Sequence, residues 1–382
     1  MNFRIQYHIF VILLFAFTVT TFRMQAKERS SRAEIVGGLG TVRIDSAGNQ
    51  FLYNVDFATY FDNREYRTPY QIPQTIFSFR LSPEVGLRLF DKLGGVHTIR
   101  AGVHYTQPLG GNWRDVSIAP TAYYRLDIKG FSVALGAIPF TLRQEILPDW
   151  LMYDSIAYAH PNIQGALLSY ASRHGDVELM CDWRGSQTVA RREMFRLVVD
   201  GYYRYRWLSV GGFAQLNHKA RYAYPHAYEG VCDDIYLNPQ VGADVSSYLP
   251  LDSLSLRVGY IFGMQRHRAI GETKYPQGLL IELYASWRFI GLKNVFYYGG
   301  NLMPWYGEFG ADLNQGDPFY QSTLYNRTDL FLYLYRNNFV NCYFSWNFHY
   351  DYHSLQHQQQ LIVRFSLDGF REQRKLKGLF DK

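Results

Sequence analysis

One loop of the sequence places a hydroxyl, an imidazole and a carboxylate within a few residues of each other. Ser155 and His160 lie in the segment 141–162, and Asp154 is adjacent to Ser155. A serine nucleophile needs a base within hydrogen-bonding reach, and closeness along a loop does not provide that reach. Because the sequence contains no G-x-S-x-G nucleophile elbow, we expect no catalytic residues and no enzymatic activity, and a membrane hydrolase is the least favoured function.

A second set of chemically capable side chains lies near the C-terminus. His349, Asp351 and His353 alternate along a predicted strand and share one face, and His357 follows them. Two histidines and a carboxylate can bind a metal ion. Histidines on the water-facing side of a strand, however, are more often ordinary polar residues of the barrel wall. The glycine-rich segment 37–40 opens no helix, so it does not predict a phosphate site. We therefore expect no metal and no cofactor.

In several segments, apolar and polar residues alternate along the sequence, and arginines recur at the polar positions. Such alternation predicts strands with one apolar face and one wet face. The wet-face arginines, which are our pore-lining candidates, are Arg80, Arg88, Arg100, Arg125, Arg184, Arg257 and Arg364. Their slight excess over acids would concentrate anions in an aqueous lumen. The alternative, which we favour, is that they pair with acids on neighbouring strands.

The segment 141–162 is also the third long connection of the chain, and its apolar residues need cover. In porins the third long loop often folds inward and narrows the pore. On that interpretation the constriction-loop candidates are Arg143, Glu145, Asp149 and Asp154. An outward loop that packs on its neighbours fits the sequence equally well.

The amino-acid composition indicates what kind of fold positions these side chains. Of the 382 residues, 17% are aromatic, with 32 Tyr and 27 Phe, and 47% are hydrophobic. The mean hydropathy of −0.22 is too polar for a helical membrane protein. The charged fraction of 19% lies below the roughly 25% of soluble domains. Both facts fit a transmembrane barrel, in which half of each strand faces lipid and half faces water.

Period-two alternation fills most of the chain. Between residues 77 and 89, for example, apolar residues occupy one parity and Ser, Arg, Glu and Gly the other. Many runs reach ten residues, which is longer than the usual ~5–6 of globular strands. The candidate strands are residues 51–61, 75–89, 98–106, 116–128, 131–140, 163–172, 176–184, 193–203, 207–217, 235–248, 253–264, 279–289, 292–299, 328–335, 339–350 and 360–368.

The connections between these strands alternate in length, which is typical of outer-membrane barrels with short periplasmic turns and long outer loops. We therefore predict an all-β fold, an antiparallel up-and-down transmembrane β-barrel of sixteen strands, within a range of fourteen to eighteen. An even count places both termini in the periplasm. A barrel of this size is wide enough for an aqueous lumen.

The ends of the chain have a different composition. Residues 1–26 combine a charged start, an apolar run at 9–22 and Ala26, which predicts a cleaved signal peptide. The apolar run is shorter than the ~20 residues of a membrane-spanning helix. Residues 27–50 form a periplasmic segment, 51–370 the barrel and 371–382 a basic C-terminal tail.

Several short stretches carry a family resemblance. They are residues 61–66 (FDNREY), 69–75 (PYQIPQT), 80–86 (RLSPEVG), 161–165 (PNIQG) and 182–184 (DWR). Over most of its mature length the chain resembles a family of poorly characterised outer-membrane β-barrel proteins of Bacteroidetes. The resemblance implies a barrel in the outer membrane of a Gram-negative cell. It supplies neither a substrate nor catalytic residues.

The sequence thus predicts a porin-like channel for passive diffusion of small hydrophilic solutes, with a preference for anions left open. The alternative is a structural or surface-interaction barrel whose lumen is plugged and whose partner is a glycan or a protein. The expected partners are outer-membrane lipid, lipopolysaccharide and small solutes, and a homo-oligomer is left open. Nucleic acid is not expected, because the net charge of +6 is scattered along the strands and forms no patch.

Overall fold

The structure, a computed structural model, describes residues 41–43, 48–224 and 230–368. The predicted signal peptide, nearly all of the segment before the barrel and the basic tail lie outside the described residues. Sixteen long strands, β1 to β16, are Gln50–Glu65, Gln74–Phe90, Val96–Pro108, Ser117–Ile128, Phe131–Pro139, Asn162–Ala171, Gly175–Gly185, Met194–Tyr205, Leu208–Lys219, Cys232–Asp244, Ser253–His267, Gln277–Trp287, Ile290–Gly299, Leu324–Arg336, Val340–Tyr350 and Leu355–Ser366.

The sixteen strands close into one antiparallel barrel. Each strand pairs with its neighbours in the chain, and β16 pairs with β1 from His357 opposite Glu65 to Ser366 opposite Asp56. Two three-residue strands, Thr41–Arg43 and Glu272–Lys274, extend the sheet beside β1 and β11. The predicted fold class and the strand count are confirmed, and each predicted strand corresponds to an observed one.

The alternation in the sequence becomes an inside and an outside. In β2, Ser82 and Glu84 are buried inside the barrel, while Leu81, Val85 and Leu87 are exposed on its outer surface. The outward face of β2 between these residues is therefore apolar. None of the helices in the described residues is long and apolar enough to cross a membrane.

Tight turns join the strands at one end of the barrel. Lys129 and Gly130, between β4 and β5, both have positive φ angles, 47° and 85°, as a two-residue type I′ turn requires. A side chain at Gly130 would approach the carbonyl oxygen of Ala171 to 2.6 Å, so this turn needs glycine. The long connections lie at the opposite end.

Two of the long connections enter the barrel and form what we call the plug. The first plug segment is residues 140–161, with helix α1 (Asp154–Ala159), and the second is residues 300–323, with helix α2 (Tyr306–Phe309). Backbone hydrogen bonds join the two segments, from Tyr153 N to Gln315 O and from Asp317 N to Asp149 O, both 2.8 Å. Buried apolar residues of both segments, among them Trp150 and Phe319, form one cluster with wall residues. The plug fills the lumen at the long-loop end.

Candidate functional site

The seven arginines predicted to line a pore lie on the inner face of the wall, and each has a partner. Four contact carboxylates: Arg100 meets Glu84 (3.2 Å) and Asp368 (2.7 Å), Arg125 meets Asp127 (2.7 Å), Arg257 meets Glu145 (3.6 Å), and Arg364 meets Asp56 (2.6 Å). The other three donate to neutral oxygens: Arg80 to Tyr158 O (2.8 Å), Arg88 to Gln50 (3.1 Å), and Arg184 to Asn217 (2.6 Å). The arrangement is a set of local contacts, in which carboxylates balance the charge of four of the seven arginines.

The four constriction-loop candidates all belong to the first plug segment and all reach the wall. Arg143 contacts Glu178 (2.8 Å) and Asp200, Glu145 contacts Arg204, Asp149 contacts Lys293 (2.7 Å), and Asp154 contacts Arg327 (2.9 Å). These partners come from four strands, β7, β8, β13 and β14. The segment therefore folds inward and contacts the wall on well-separated strands.

The surroundings of two plug carboxyl groups shift their pKa values in opposite directions. Burial alone would raise the pKa of Asp154, but Arg327 and Lys293 more than compensate and lower it to about 2. Burial raises the pKa of Asp317, in the second plug segment, to about 7. Asp317 accepts hydrogen bonds from Gln71 (2.8 Å) and Tyr325 (3.2 Å).

The serine–histidine and histidine–aspartate groups set aside on sequence grounds do not assemble into sites within the described residues. Ser155 faces a cavity beside α1, while His160 is exposed just after that helix, and no hydrogen bond joins their side chains within the described residues. His349 is buried and bonded to Tyr325 at 2.7 Å. Across residues 48–224 and 230–368, no three His, Cys, Asp or Glu side chains are placed to hold a metal ion.

The fold forms a serine–histidine–asparagine chain that sequence reasoning missed. Ser82 Oγ lies 2.7 Å from His104 Nδ1, and His104 Nε2 lies 3.0 Å from Asn162 Oδ1. The order nucleophile, base and orienting group is that of a hydrolase. However, the three residues are only 3%, 7% and 5% exposed and lie inside the wall. Because no substrate can reach them there, we interpret them as a hydrogen-bonded lining.

A different polar cluster lies on the outer surface of the barrel. On β1, β2 and β16, alternate residues point outward, and most of them are apolar. At the long-loop end of each of these strands the outward residues become polar. Phe57 and Phe61 are followed by Asn63 and Glu65, which lie on the same parity. On the neighbouring strands, the outward column of β2 ends at Thr75 and that of β16 at Gln359 and His357. We call Asn63, Glu65, Thr75, His357 and Gln359 the rim cluster.

Hydrogen bonds organise the rim cluster across three strands. The Asn63 amide nitrogen donates to Glu65 Oε1 (3.0 Å) and Gln359 Oε1 (2.7 Å), and Thr75 Oγ1 donates to Asn63 Oδ1 (2.7 Å). The Gln359 amide nitrogen lies 2.8 Å from His357 Nδ1. An amide nitrogen is a donor, so Nδ1 accepts and the neutral ring carries its proton on Nε2.

Glu65 and His357 can act together on one bound molecule. They are direct partners in the β16–β1 register, and directly opposed side chains on one face have Cβ atoms about 4.5–5.5 Å apart. A carboxylate can take a proton from water, and an imidazole N–H can donate to a developing oxyanion. The rim cluster thus has the groups that hydrolysis of an ester requires.

Aromatic rings border the rim cluster on the apolar side. Phe61 and Phe77 lie below it with ring centres 5.6 Å apart, and Trp346 on β15 meets the ring of His357 at 6.5 Å. Such aromatic belts occur where a barrel passes from the apolar layer to the aqueous layer. The sequence does carry one signal of this site. On β1 and β16, the alternate positions that are otherwise apolar become polar at the same end of the barrel. The pairing of residues near positions 63 and 357 appears only in the closed barrel.

Comparison with solved structures identifies barrels of the same architecture. OccK9 (OpdG) of Pseudomonas aeruginosa superposes with a TM-score of 0.53 at 11% identity, over 83% of this chain and 98% of that one. A triple mutant of the Rhodopseudomonas blastica porin gives a TM-score of 0.48 at 10% identity, over 83% and 99% of the two chains. At these identities the similarity shows the fold alone. No curated protein sequence matches the chain.

The predictions of a porin-like channel and of a protein without enzymatic activity are wrong. The finding that overturns them is a match of residues 44–370 to a family model described as lipid A 3′-O-deacylase-type, which denotes an enzyme family. The structure agrees with this correction of the channel prediction, because the two plug segments occupy space inside the barrel that a channel would keep open. The match covers nearly the whole barrel, and the chain belongs to the lipid A 3′-O-deacylase-type family.

Proposed function

We propose that this protein is an esterase that removes an acyl chain from lipid A and that the rim cluster is its active site. One observation carries the proposal: the rim cluster lies on the outside of the wall, where apolar residues give way to polar ones. In a membrane lipid, the ester bonds lie at the same boundary, between the acyl chains and the sugar head group. A buried site such as Ser82 and His104 has no comparable access.

The reaction proposed is direct attack by water. Glu65 takes a proton from water as the water oxygen bonds to the ester carbonyl carbon, and His357 Nε2–H donates to the carbonyl oxygen as its charge develops. The bond from the carbonyl carbon to the sugar oxygen then breaks, and the proton that Glu65 took from water goes to that leaving oxygen. The products are a fatty acid and a lipid with one free hydroxyl group. Glu65 is then ionised again and His357 has kept its Nε2 proton, so the site is restored.

Asn63 and Thr75 act as positioning residues in this scheme. Asn63 holds the carboxylate of Glu65, and Thr75 in turn holds Asn63. Thr75 is two strands away from His357, so their backbones are about 9–10 Å apart at the usual strand spacing. That separation favours water over Thr75 as the nucleophile.

The cellular setting is part of the proposal. The apolar outer wall fits an outer membrane, with the short turns in the periplasm and the rim cluster at the outer leaflet. Lipid A and lipopolysaccharide are then substrate and surroundings. Export by a signal peptide cleaved after residue 26 and a Bacteroidetes source also remain predictions.

The test is hydrolysis of purified hexa-acylated lipid A by the full chain in detergent micelles, followed by mass spectrometry. The wild-type protein should release one ester-linked fatty acid, and His357→Ala should slow release by about 100-fold or more, as expected for loss of an oxyanion hydrogen-bond donor. His353→Ala is the matched control, because His353 is an exposed histidine of the neighbouring connection outside the rim cluster. A wild-type rate in the His357→Ala protein would refute the assignment of the active site.

A further inference from the structure

A cavity of about 420 Å³ lies between α1, the second plug segment and the connection from β1 to β2. Its lining includes Arg64, Thr68, Tyr70, Gln71, Ser155 and Tyr306. Ile72, at its edge, is 69% exposed, so the cavity opens at the long-loop end of the barrel. Its volume lies within the range of about 300–1,000 Å³ that is usual for small-molecule sites.

The charge at the base of the cavity is already balanced. The Arg64 guanidinium donates through Nε and Nη2 to Asp62, at 2.9 and 2.8 Å. Gln71 accepts weakly from Arg64 (3.5 Å) and donates to Asp317 (2.8 Å), so it bridges the buried charges. An anion here would have to displace a buried carboxylate from Arg64, at a large desolvation cost. The cavity therefore favours an uncharged ligand.

The remaining lining suits a sugar. Tyr70 and Tyr306 offer aromatic rings with hydroxyl tips, on which the apolar C–H face of a pyranose ring can stack. Gln71 and Ser155 add an amide and a hydroxyl group, which can donate and accept hydrogen bonds, as the hydroxyl groups of a sugar do. Thr68 Oγ1 donates to Asp351 (2.7 Å) and can accept from a sugar hydroxyl group.

The cavity and the rim cluster are built on opposite faces of one segment. Asn63, Glu65 and Thr75 point outward, whereas Arg64 and the connection 68–72 face inward. Adjacent residues of a strand point to opposite faces, so the two sites lie on opposite sides of one wall at its long-loop end. A two-ring sugar head group that extends over the rim can contact both sites.

We infer that this cavity binds an uncharged sugar ring of the glycolipid head group while the ester bond lies at the rim cluster. The inference rests on the proposed function for the identity of the ligand, but it makes a separate claim about binding. Occupation of the cavity would fix which acyl chain reaches Glu65 and His357.

The test is calorimetric titration of the full chain in micelles with a soluble, acyl-free, N-acetylated β-1,6-glucosamine disaccharide. Wild-type and His357→Ala proteins should bind it equally, and Tyr306→Ala should weaken binding at least tenfold. Tyr298→Ala is the matched control, since Tyr298 is 60% exposed on β13 and does not line the cavity. Ser155→Ala serves as a milder second variant if Tyr306→Ala does not fold, and it should also weaken binding.

Three results would separate the two proposals. Hydrolysis of lipid A without any binding of the disaccharide would overturn the inference and leave the esterase intact. Binding that depends on Tyr306 without hydrolysis would support the inference and contradict the esterase. A bis-phosphorylated disaccharide that binds at least tenfold more tightly than the neutral one, with the gain lost in Tyr306→Ala, would overturn the assignment of an uncharged ligand.

Discussion

Arg327 on β14 and Asp154 in the plug are joined by a 2.9 Å contact between Nη2 and Oδ2. The same guanidinium contacts Asp329 through Nε at 2.8 Å and approaches Asp149 at 3.5 Å, and only 3% of the Arg327 residue is exposed. One wall arginine thus binds two carboxylates of the first plug segment. This buried junction fixes the plug to the barrel and closes the lumen.

We predict that Arg327→Ala loosens the plug. Removing one partner of a buried ion pair strands the other charges and typically costs about 3–5 kcal/mol. Unfolding in urea should show a loss of that size. Wild-type protein in planar bilayers should give no steady conductance, whereas the variant should give intermittent openings.

Arg268→Ala provides the matched control for this change. Arg268 contacts Asp233 at 2.6 Å but is 52% exposed on its side chain, so its loss should cost less than about 1 kcal/mol. Equal losses in the two variants, or a large steady conductance of the wild-type protein, would count against an anchored plug.

In the rim cluster, Glu65→Gln and Asn63→Ala should lower kcat to different degrees. Glu65→Gln removes the proposed base and should lower kcat by about 100-fold, with KM little changed. Asn63→Ala only removes support for Glu65, so a smaller fall is expected, and Asn63→Asp should not restore the rate because it places a second negative charge beside Glu65. Leu361→Ala, on the same outward face of β16 below the cluster, is the control. Equal rates in Glu65→Gln and wild-type protein would exclude the mechanism.

Ser82→Ala should leave lipid hydrolysis unchanged while it lowers stability. The variant leaves His104 Nδ1 without its partner inside the wall, which costs about 1–3 kcal/mol. The two measurements are the initial rate on lipid A and the free energy of unfolding. If the rate instead falls a hundredfold in a folded Ser82→Ala protein, the active site lies inside the barrel and the rim cluster is not the site.

The stability of the plug should depend on pH through Asp317. Burial raises the pKa of Asp317 to about 7, whereas an unfolded aspartate titrates near about 3.9. The folded state therefore holds this proton more tightly, so stability is greatest at low pH within this window and falls as the pH rises from about 4 to about 7. Gln71, Tyr325 and the Phe319 amide face the carboxyl directly, and Arg327 partly offsets the shift.

Asp317→Asn tests this dependence, because the amide keeps an acceptor for Phe319 N but does not ionise. The free energy of unfolding of the wild-type protein should decrease between pH 5 and pH 8, and the variant should show a flatter dependence. Parallel curves for the two proteins would show that Asp317 does not titrate in this window.

The barrel was predictable because its wall repeats one simple rule. Alternation along β2 or β11 follows from a wet inner face and an apolar outer face, and the short turns follow from residues such as Lys129 and Gly130. Whether the segment 141–162 folds into the barrel or away from it was not predictable. Its charged partners Lys293 and Arg327 lie more than a hundred residues away in the sequence, and nothing local indicates that they face it.

The active site proposed here was less accessible to sequence reasoning than the fold. Alternating strands suit channels and barrel enzymes equally, so function depends on a few side chains grafted onto the wall. Ser155 and His160 are close in sequence and do not meet, whereas Glu65 and His357 are almost three hundred residues apart and are register partners. Interpreting the polar ends of β1 and β16 required knowing that these two strands are neighbours.

The junction of the first and last strands has a consequence for the cell. Glu65 is made early in synthesis and His357 late, and they face each other only after β16 has joined β1. On the proposed function, a chain in transit, with those two strands apart, lacks the proposed catalytic pair and leaves the lipids that it passes intact. Activity would then begin only when the barrel closes, and release of fatty acid would report that a barrel has been finished.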